Sequence, residues 1–272
     1  MIKRTVVGLI LVPMLFLVTL WAPEIVLAGF CSAFAAIAVN ELLYNTGLVR
    51  NPRMLLYTMI MAFLVPLWSF CGCPNGPALV GALLFYVALF SELLLSKAKI
   101  PFAHAALCVF GGVLIPYLFA SLVRTQIMEN GRYFIMLPFV LAFATDIGGY
   151  FVGVTMGKHK LCPVVSPKKT IEGLIGGIAL AIICMVSYCL ILQFGFGFRI
   201  NYFYTGVYGI VGSLAAVIGD LSFSVIKRQT AIKDYGYLIP GHGGILDRFD
   251  SVLVVAPLVE ALLLILPFAC KG

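Results

Sequence analysis

Nine apolar stretches follow one another along the chain's 272 residues, each close to the roughly 20 residues that a helix needs to cross a bilayer. They fall at approximately 5–21, 25–43, 54–70, 77–95, 101–122, 133–156, 171–194, 203–226 and 251–270. Charge is correspondingly sparse. Asp, Glu, Lys and Arg make up 11% of residues, against about 25% in an average soluble domain. The pattern predicts an all-α polytopic membrane protein with about nine transmembrane helices. No small-residue cleavage site leads from the first stretch into a soluble chain, so that stretch is expected to be retained as a span.

Orientation follows from the basic residues, because short positively charged loops stay cytoplasmic. With the N-terminus inside, the inner loops hold Lys3, Arg4, Arg50, Arg53, Lys97, Lys99, Lys158, Lys160, Lys168, Lys169, Lys227, Arg228, Lys233 and Arg248, which is 14 of the 18. The outer loops keep Arg124, Arg132, Arg199 and Lys271. The N-terminus is therefore expected in the cytoplasm and the C-terminus outside. The net charge of +7 reads as this topological signal, and no nucleic-acid partner is expected from it. Cys31, Cys108, Cys184, Cys189 and Cys270 lie in apolar spans and Cys162 in a loop, where they read as small hydrophobes. Cys71 and Cys73 share a turn in which pairing would close a strained ring, so a plain turn is expected.

Polar chemistry concentrates in two places. Residues 1–130 read as an N-terminal transmembrane scaffold, and 131–272 as a catalytic transmembrane region with cytoplasmic loops 157–170 and 227–250. The span 133–156 carries Asp146 close to its inner end, then Gly149, Gly153 and Gly157 at every fourth position. Small residues at that spacing let helices approach closely. Intramembrane acids normally face a bundle interior or a wet cavity, and Tyr150 either lines that cavity or packs. In the first loop, Ser166-Pro167 reads as a helix start, with Lys168 and Lys169 making its N-terminus an anion site. Membrane-surface anchoring is the other reading of these lysines, and His159 is expected to be solvated.

The span 203–226 becomes polar along one face through Ser213, Asp220, Ser224 and Lys227. A salt bridge from Asp220 to Lys227 or Arg228 is the plainer reading of that acid. Gly241-His242-Gly243-Gly244 can turn backbone N–H groups toward an anion. Asp247 and Asp250 follow. Carboxylates beside an anion site and cationic side chains call for a bridging hard cation such as Mg²⁺, whose remaining positions go to water and substrate phosphates. The constellation points to chemistry on phosphate.

These residues resemble a known family, the phosphatidate cytidylyltransferases. The resemblance is carried by Ser224-x-hydrophobic-Lys227-Arg228, Lys233-Asp234-x-Gly236 and Pro240-x-His242-Gly243-Gly244-hydrophobic-x-Asp247-Arg248-hydrophobic-Asp250. Asp146 through Gly173, including Ser-Pro-Lys-Lys-Thr-x-Glu-Gly, is similar to a second conserved region, with Gly149 standing where alanine is usual. The N-terminal half matches in hydropathy and span count. The resemblance implies transfer of CMP from CTP to phosphatidic acid, giving CDP-diacylglycerol and pyrophosphate. It implies Asp220 and Asp247 as ligands of a two-cation centre, with Mg²⁺ and a second cation for which K⁺ is a candidate, and Asp250 beside them. Lys227, Arg228, Lys233 and Arg248 would clamp phosphates next to His242. Ser224, Ser166, Lys168, Lys169, Gly243 and Gly244 would hold lipid headgroup or nucleotide, and Asp146, Glu172 and Asp234 would contact metal, ribose or base.

Two rivals stand beside this reading. One is a related CTP-dependent transferase acting on another lipid phosphate. The other is an ion-coupled transporter, for which Asp146, Asp220 and Glu260 would be pathway acids. Transport predicts groups near mid-membrane and inverted repeats, whereas these polar groups cluster toward one face. A homodimer in a bacterial inner membrane, with the active site facing the cytoplasm, is the expected setting.

Overall fold

The computed structural model describes residues 19, 22–72, 75–97, 99–238 and 243–271. Among them, seven helices are long and apolar enough to cross a membrane. The chain is an integral membrane protein. The predicted span 5–21, apart from Thr19, and Cys73 lie outside the described residues. The chain divides into two compact units, the first from Met1–Arg132 with Gln229–Phe249, the second from Tyr133–Arg228 with Asp250–Gly272.

The first unit begins with α1 (Glu24–Asn40), which runs on through a π-helical turn, Glu41–Asn45. Ala28, Cys31, Ser32, Ala35, Ala38 and Val39 recur at three- and four-residue steps and are all buried. This small-residue face admits close helix neighbours. Asn51 starts α2 (Pro52–Cys71) by accepting the N–H groups of Arg53 at 3.0 Å and Met54 at 3.4 Å, and Gly72, at φ +54°, ends it. Next come α3 (Asn75–Leu95), α4 (Phe102–Val109), a second π turn (Phe110–Leu114) and α5 (Ile115–Ile127). Helices α1, α2 and α5 pack on one another. Phe249 packs at a tilt against Phe34 of α1 and Phe119 of α5, with ring centroids 5.5 and 5.4 Å apart, which ties the later segment Gln229–Phe249 into this unit.

The second unit holds α6 (Leu137–Met156), α7 (Ile171–Phe196), most of α8 (Tyr202–Gln229) and most of α9 (Leu246–Ile265). The pairing of α6 with α7 is built from backbone. A Cβ placed on Gly148 would lie 2.6 Å from the Gly176 carbonyl, one on Gly173 2.7 Å from the Gly149 carbonyl, and one on Gly177 2.8 Å from the Thr145 carbonyl. The glycine face read from α6 therefore has a counterpart on α7. Gly177→Ala is expected to destabilise the protein by about 1–3 kcal/mol, as seen by thermal unfolding in detergent. Gly206→Ala on α8, where nothing lies within 4 Å of the added carbon, serves as the neutral control.

Several expectations need correction. Ser166-Pro167 does not start a helix: Ser166–Thr170 is strand β2, paired antiparallel with β1 (Lys160–Cys162). The helix starts at Ile171, with Thr170 as its cap, accepting the Gly173 N–H at 3.1 Å. Thr170 offers the same hydroxyl chemistry four residues later, in an extended backbone that a β-branched residue favours. Asp146 is not near a helix end, because α6 continues ten residues beyond it, about 15 Å of helix. The span predicted at 251–270 stops as a helix at Ile265, ahead of Pro267, and Ala269–Lys271 forms β4 against β3 (Phe198–Ile200). Cys270 is thus an exposed strand residue rather than one within a span. With Asp247, Arg248, Asp250 and Glu260, α9 falls outside the seven apolar spans. The all-α expectation gives way to a mostly helical chain with two small two-stranded sheets among the described residues, the β1–β2 hairpin and the β3–β4 pair, whose strands lie far apart in the sequence.

Candidate active site

In the second unit the polar residues converge around the β1–β2 hairpin. Asp220 on α8 and Lys169 on β2 form an ion pair at 2.6 Å, each side chain 25% exposed. A salt bridge is thus what Asp220 makes, with Lys169 of the hairpin. A cavity of about 250 Å³ opens beside the pair, lined among others by Asp146, Tyr150, Ser166, Lys168 and Lys169. Tyr150 is a lining residue. Lys169 is therefore the link between the cavity and Asp220, and the glycine seam gives α6 and α7 the closeness that sets Asp146 opposite the hairpin lysines.

Asp250 enters this unit at the start of α9. A Cβ on Gly219 would lie 2.7 Å from the Asp250 carbonyl oxygen, so the glycine beside Asp220 is what lets α9 come close. Asp146, Asp220 and Asp250 lie within electrostatic reach of one another, with Lys169 and Lys227 as the cationic counterweights. Arg228 donates its Nε–H to the Val165 carbonyl at 3.2 Å and pins the hairpin turn. Ser224 is buried on α8.

Glu172 faces the other end of the hairpin. It accepts the backbone N–H groups of Lys158 at 3.1 Å and His159 at 3.2 Å, and His159 Nδ1 lies 2.6 Å from its Oε1. His159 is exposed, as expected of a solvated residue, but it is also paired. Both Glu172 oxygens, at the start of α7, are thus engaged in holding the segment that leads from α6 into the hairpin.

The first unit carries the remaining site residues. Asp247 lies in the first turn of α9, and its Oδ2 accepts the N–H groups of Tyr235 at 2.7 Å and Gly244 at 3.1 Å. Gly243 takes φ +85°, and an added Cβ there would sit 2.9 Å from the same oxygen. Of the glycine-rich turn, Gly244 directs its N–H at a carboxylate, and that carboxylate is the chain's own. Lys233, Asp234 and Arg248 are exposed. His242 lies outside the described residues.

Glu41 was not singled out from the sequence. It is 3% exposed, and it accepts the N–H groups of Ile245 at 3.0 Å and Leu246 at 2.9 Å. The signal was an acid at the end of an apolar stretch, which burial would penalise without partners. Among the described residues, no group of three His, Cys, Asp or Glu side chains forms a ready metal cage. A hard cation that takes one or two carboxylates and fills its other positions with water and phosphate does not require one.

Residues 2–266 match the family described as the cytidylyltransferase family. The chain is 34% identical over 264 residues to a phosphatidate cytidylyltransferase of Staphylococcus saprophyticus, covering 96% of this chain and 98% of the relative. It is 33% identical over 268 residues to one of Staphylococcus epidermidis, with the same coverage. A phosphatidate cytidylyltransferase of Staphylococcus haemolyticus is 40% identical over 176 residues, 65% of each chain.

Proposed function

The chain belongs to the cytidylyltransferase family, and from that premise we propose that it transfers the cytidylyl group of CTP to phosphatidic acid. A phosphate oxygen of phosphatidic acid bonds to the α-phosphorus of CTP, the bond from that phosphorus to the bridging oxygen of the β-phosphate breaks, and pyrophosphate leaves. CDP-diacylglycerol stays in the membrane. A phosphate monoester has its second ionisation near pKa ~6, so near neutral pH the nucleophile is largely ionised without a strong base. The chemical task is to bring two anions together, and oriented cations and dipoles accomplish it.

The observation that carries this reading is the Lys169–Asp220 pair beside the cavity, with Asp146 and Asp250 within reach. An acid cluster that already holds an ammonium group fits a hard cation. Asp220, with Asp250 near it, is the proposed cation ligand of the second unit, and Asp247 that of the first. Bound there, Mg²⁺ would neutralise the charge growing on the departing pyrophosphate, with K⁺ a candidate second cation. Ser166, Lys168 and Lys169 present a hydroxyl and two ammonium groups to a phosphate in the cavity. Lys227, Arg228, Lys233 and Arg248 are the proposed phosphate clamps, and Ser224, His242, Gly243 and Gly244 complete the substrate set. Tyr150, 67% exposed at the cavity rim, and its exposed neighbours Phe151 and Val154 offer an apolar flank for acyl chains.

The proposed setting is a bacterial cytoplasmic membrane with the site facing the cytoplasm, and the protein working as a dimer. The bacterial relatives support that setting, and the 14 of 18 basic residues that fall in the inner loops on the nine-span reading support that orientation. The hairpin and the β3–β4 sheet stand at opposite ends of α7, whose 26 residues span about 39 Å.

Purified protein in detergent, given phosphatidic acid, labelled CTP and Mg²⁺, should carry label into the organic phase. Chelation of the cation should lower the rate by at least about a hundredfold. Labelling of a polyprenyl phosphate in preference to phosphatidic acid would move the reading to the related transferases. Folded protein that labels neither lipid would overturn it.

A further inference from the structure

The carboxylate of Glu41 is boxed in on four sides. The π-helical turn Glu41–Asn45 at the end of α1 supplies it, and its two oxygens each take one N–H, from Ile245 at 3.0 Å and Leu246 at 2.9 Å. Those N–H groups stand at the start of α9, where no intrahelical carbonyl can receive them. A helix start is ordinarily capped by a neighbouring Ser, Thr, Asp or Asn. Here the acceptor comes from 204 and 205 residues away.

On the remaining sides stand Gly236 and Gly244. A Cβ on either would fall directly against the Glu41 carboxylate. Two glycines of the Lys233–Asp250 stretch thus have a reason unrelated to phosphate: any side chain there would displace Glu41. Asn45, from the same π turn, donates its Nδ2–H to the Tyr235 carbonyl at 2.7 Å, while Asp247 accepts the Tyr235 N–H at 2.7 Å. Tyr235 is held from both sides, and the turn 244–246 gives its three N–H groups to Asp247 and Glu41. Hydrogen bonds to an ionised acceptor are among the strong ones.

We propose that Glu41 is a positioning residue, whose carboxylate fixes the first turn of α9 and thereby the direction of the Asp247 side chain. The proposal rests on the reading of Asp247 as a working residue of cytidylyl transfer. A π turn is a fitting source, since such turns re-aim one side chain inside an otherwise regular helix and recur at functional sites. Glutamine in place of Glu41 would keep one acceptor but set its NH₂ group against the other N–H.

The test is Glu41→Gln in the full chain in detergent, with amide hydrogen exchange and steady-state kinetics measured on the same preparation. Exchange at Ile245 and Leu246 should quicken by at least about tenfold, while the α6–α7 amides stay at their wild-type rates. The kcat should fall about 100-fold, with KM for CTP and for phosphatidic acid within about threefold of wild type. Unchanged exchange at Ile245 and Leu246, faster exchange with unchanged kcat, or a uniform rise across the whole chain would each overturn the proposal. If Glu41→Gln does not fold, Gly244→Ala pushes on the same carboxylate from outside and should give the same local exchange pattern. Wild-type protein that protects these two amides yet transfers no cytidylyl group would overturn the reading of the reaction and leave the Glu41 contact standing.

Discussion

Asp220→Asn should lower cytidylyl transfer by about a thousandfold, measured as label from CTP reaching phosphatidic acid, with folding intact by thermal unfolding. The asparagine has nearly the same shape but neither binds a hard cation as a carboxylate does nor balances the Lys169 ammonium 2.6 Å away. Loss of one electrostatic group aimed at a developing charge costs on the order of 10²–10³ in rate, and loss of a cation ligand adds to that. A simpler cause must be separated, because removing one partner of a part-buried ion pair leaves the other uncompensated. The double variant Asp220→Asn with Lys169→Met removes both charges. If Asp220 served only to neutralise Lys169, the double variant would recover activity. Continued inactivity in a folded double variant is the expected result, and recovery would sink the assignment of Asp220 as a cation ligand.

The companion result concerns Asp247, whose single oxygen Oδ2 holds two backbone N–H groups. Asp247→Asn keeps a carbonyl oxygen for Tyr235 and Gly244 but loses the charge. Exchange at those two amides should stay within about threefold of wild type while the transfer rate falls about 100- to 1,000-fold. Asp247→Ala loses both functions, so its rate should fall at least as far and the two amides should exchange at least about tenfold faster. An asparagine variant as active as wild type would mean that Asp247 only organises the loop.

These pairings show which physics was legible in the sequence. The spans from 25–43 to 203–226 were readable because apolar length is a local property, and each appears as a helix within a few residues of its expected ends. The glycine face of α6 was readable for the same reason, since a four-residue period belongs to one helix. Its counterpart on α7 was not singled out, because only close packing shows Gly173, Gly176 and Gly177 to be one surface. The Ser-Pro pair misled because a helix cap is recognised by residue type, and the chain offers a second hydroxyl at Thr170. Register with β1, a property of two strands together, decided between them. Lys169 with Asp220, and above all Glu41 with Ile245 and Leu246, join residues far apart in the sequence. No window along the chain contains both members of such a contact, so Glu41 looked like an isolated acid in a scaffold.

The lengths of α7 and α8 carry a consequence for the lipid. At 26 and 28 residues they span about 39 and 42 Å, against a hydrocarbon thickness of about 30 Å. Helices this long must either lean or lift their ends into the headgroup zone. Because α6 and α7 meet backbone to backbone, leaning carries them as a single piece. A thinner or thicker bilayer would then change how deep the cavity sits and leave its shape alone. Hydrophobic mismatch would thus act on how readily a lipid phosphate reaches the cavity, and membranes of different acyl length would tune the protein through that depth.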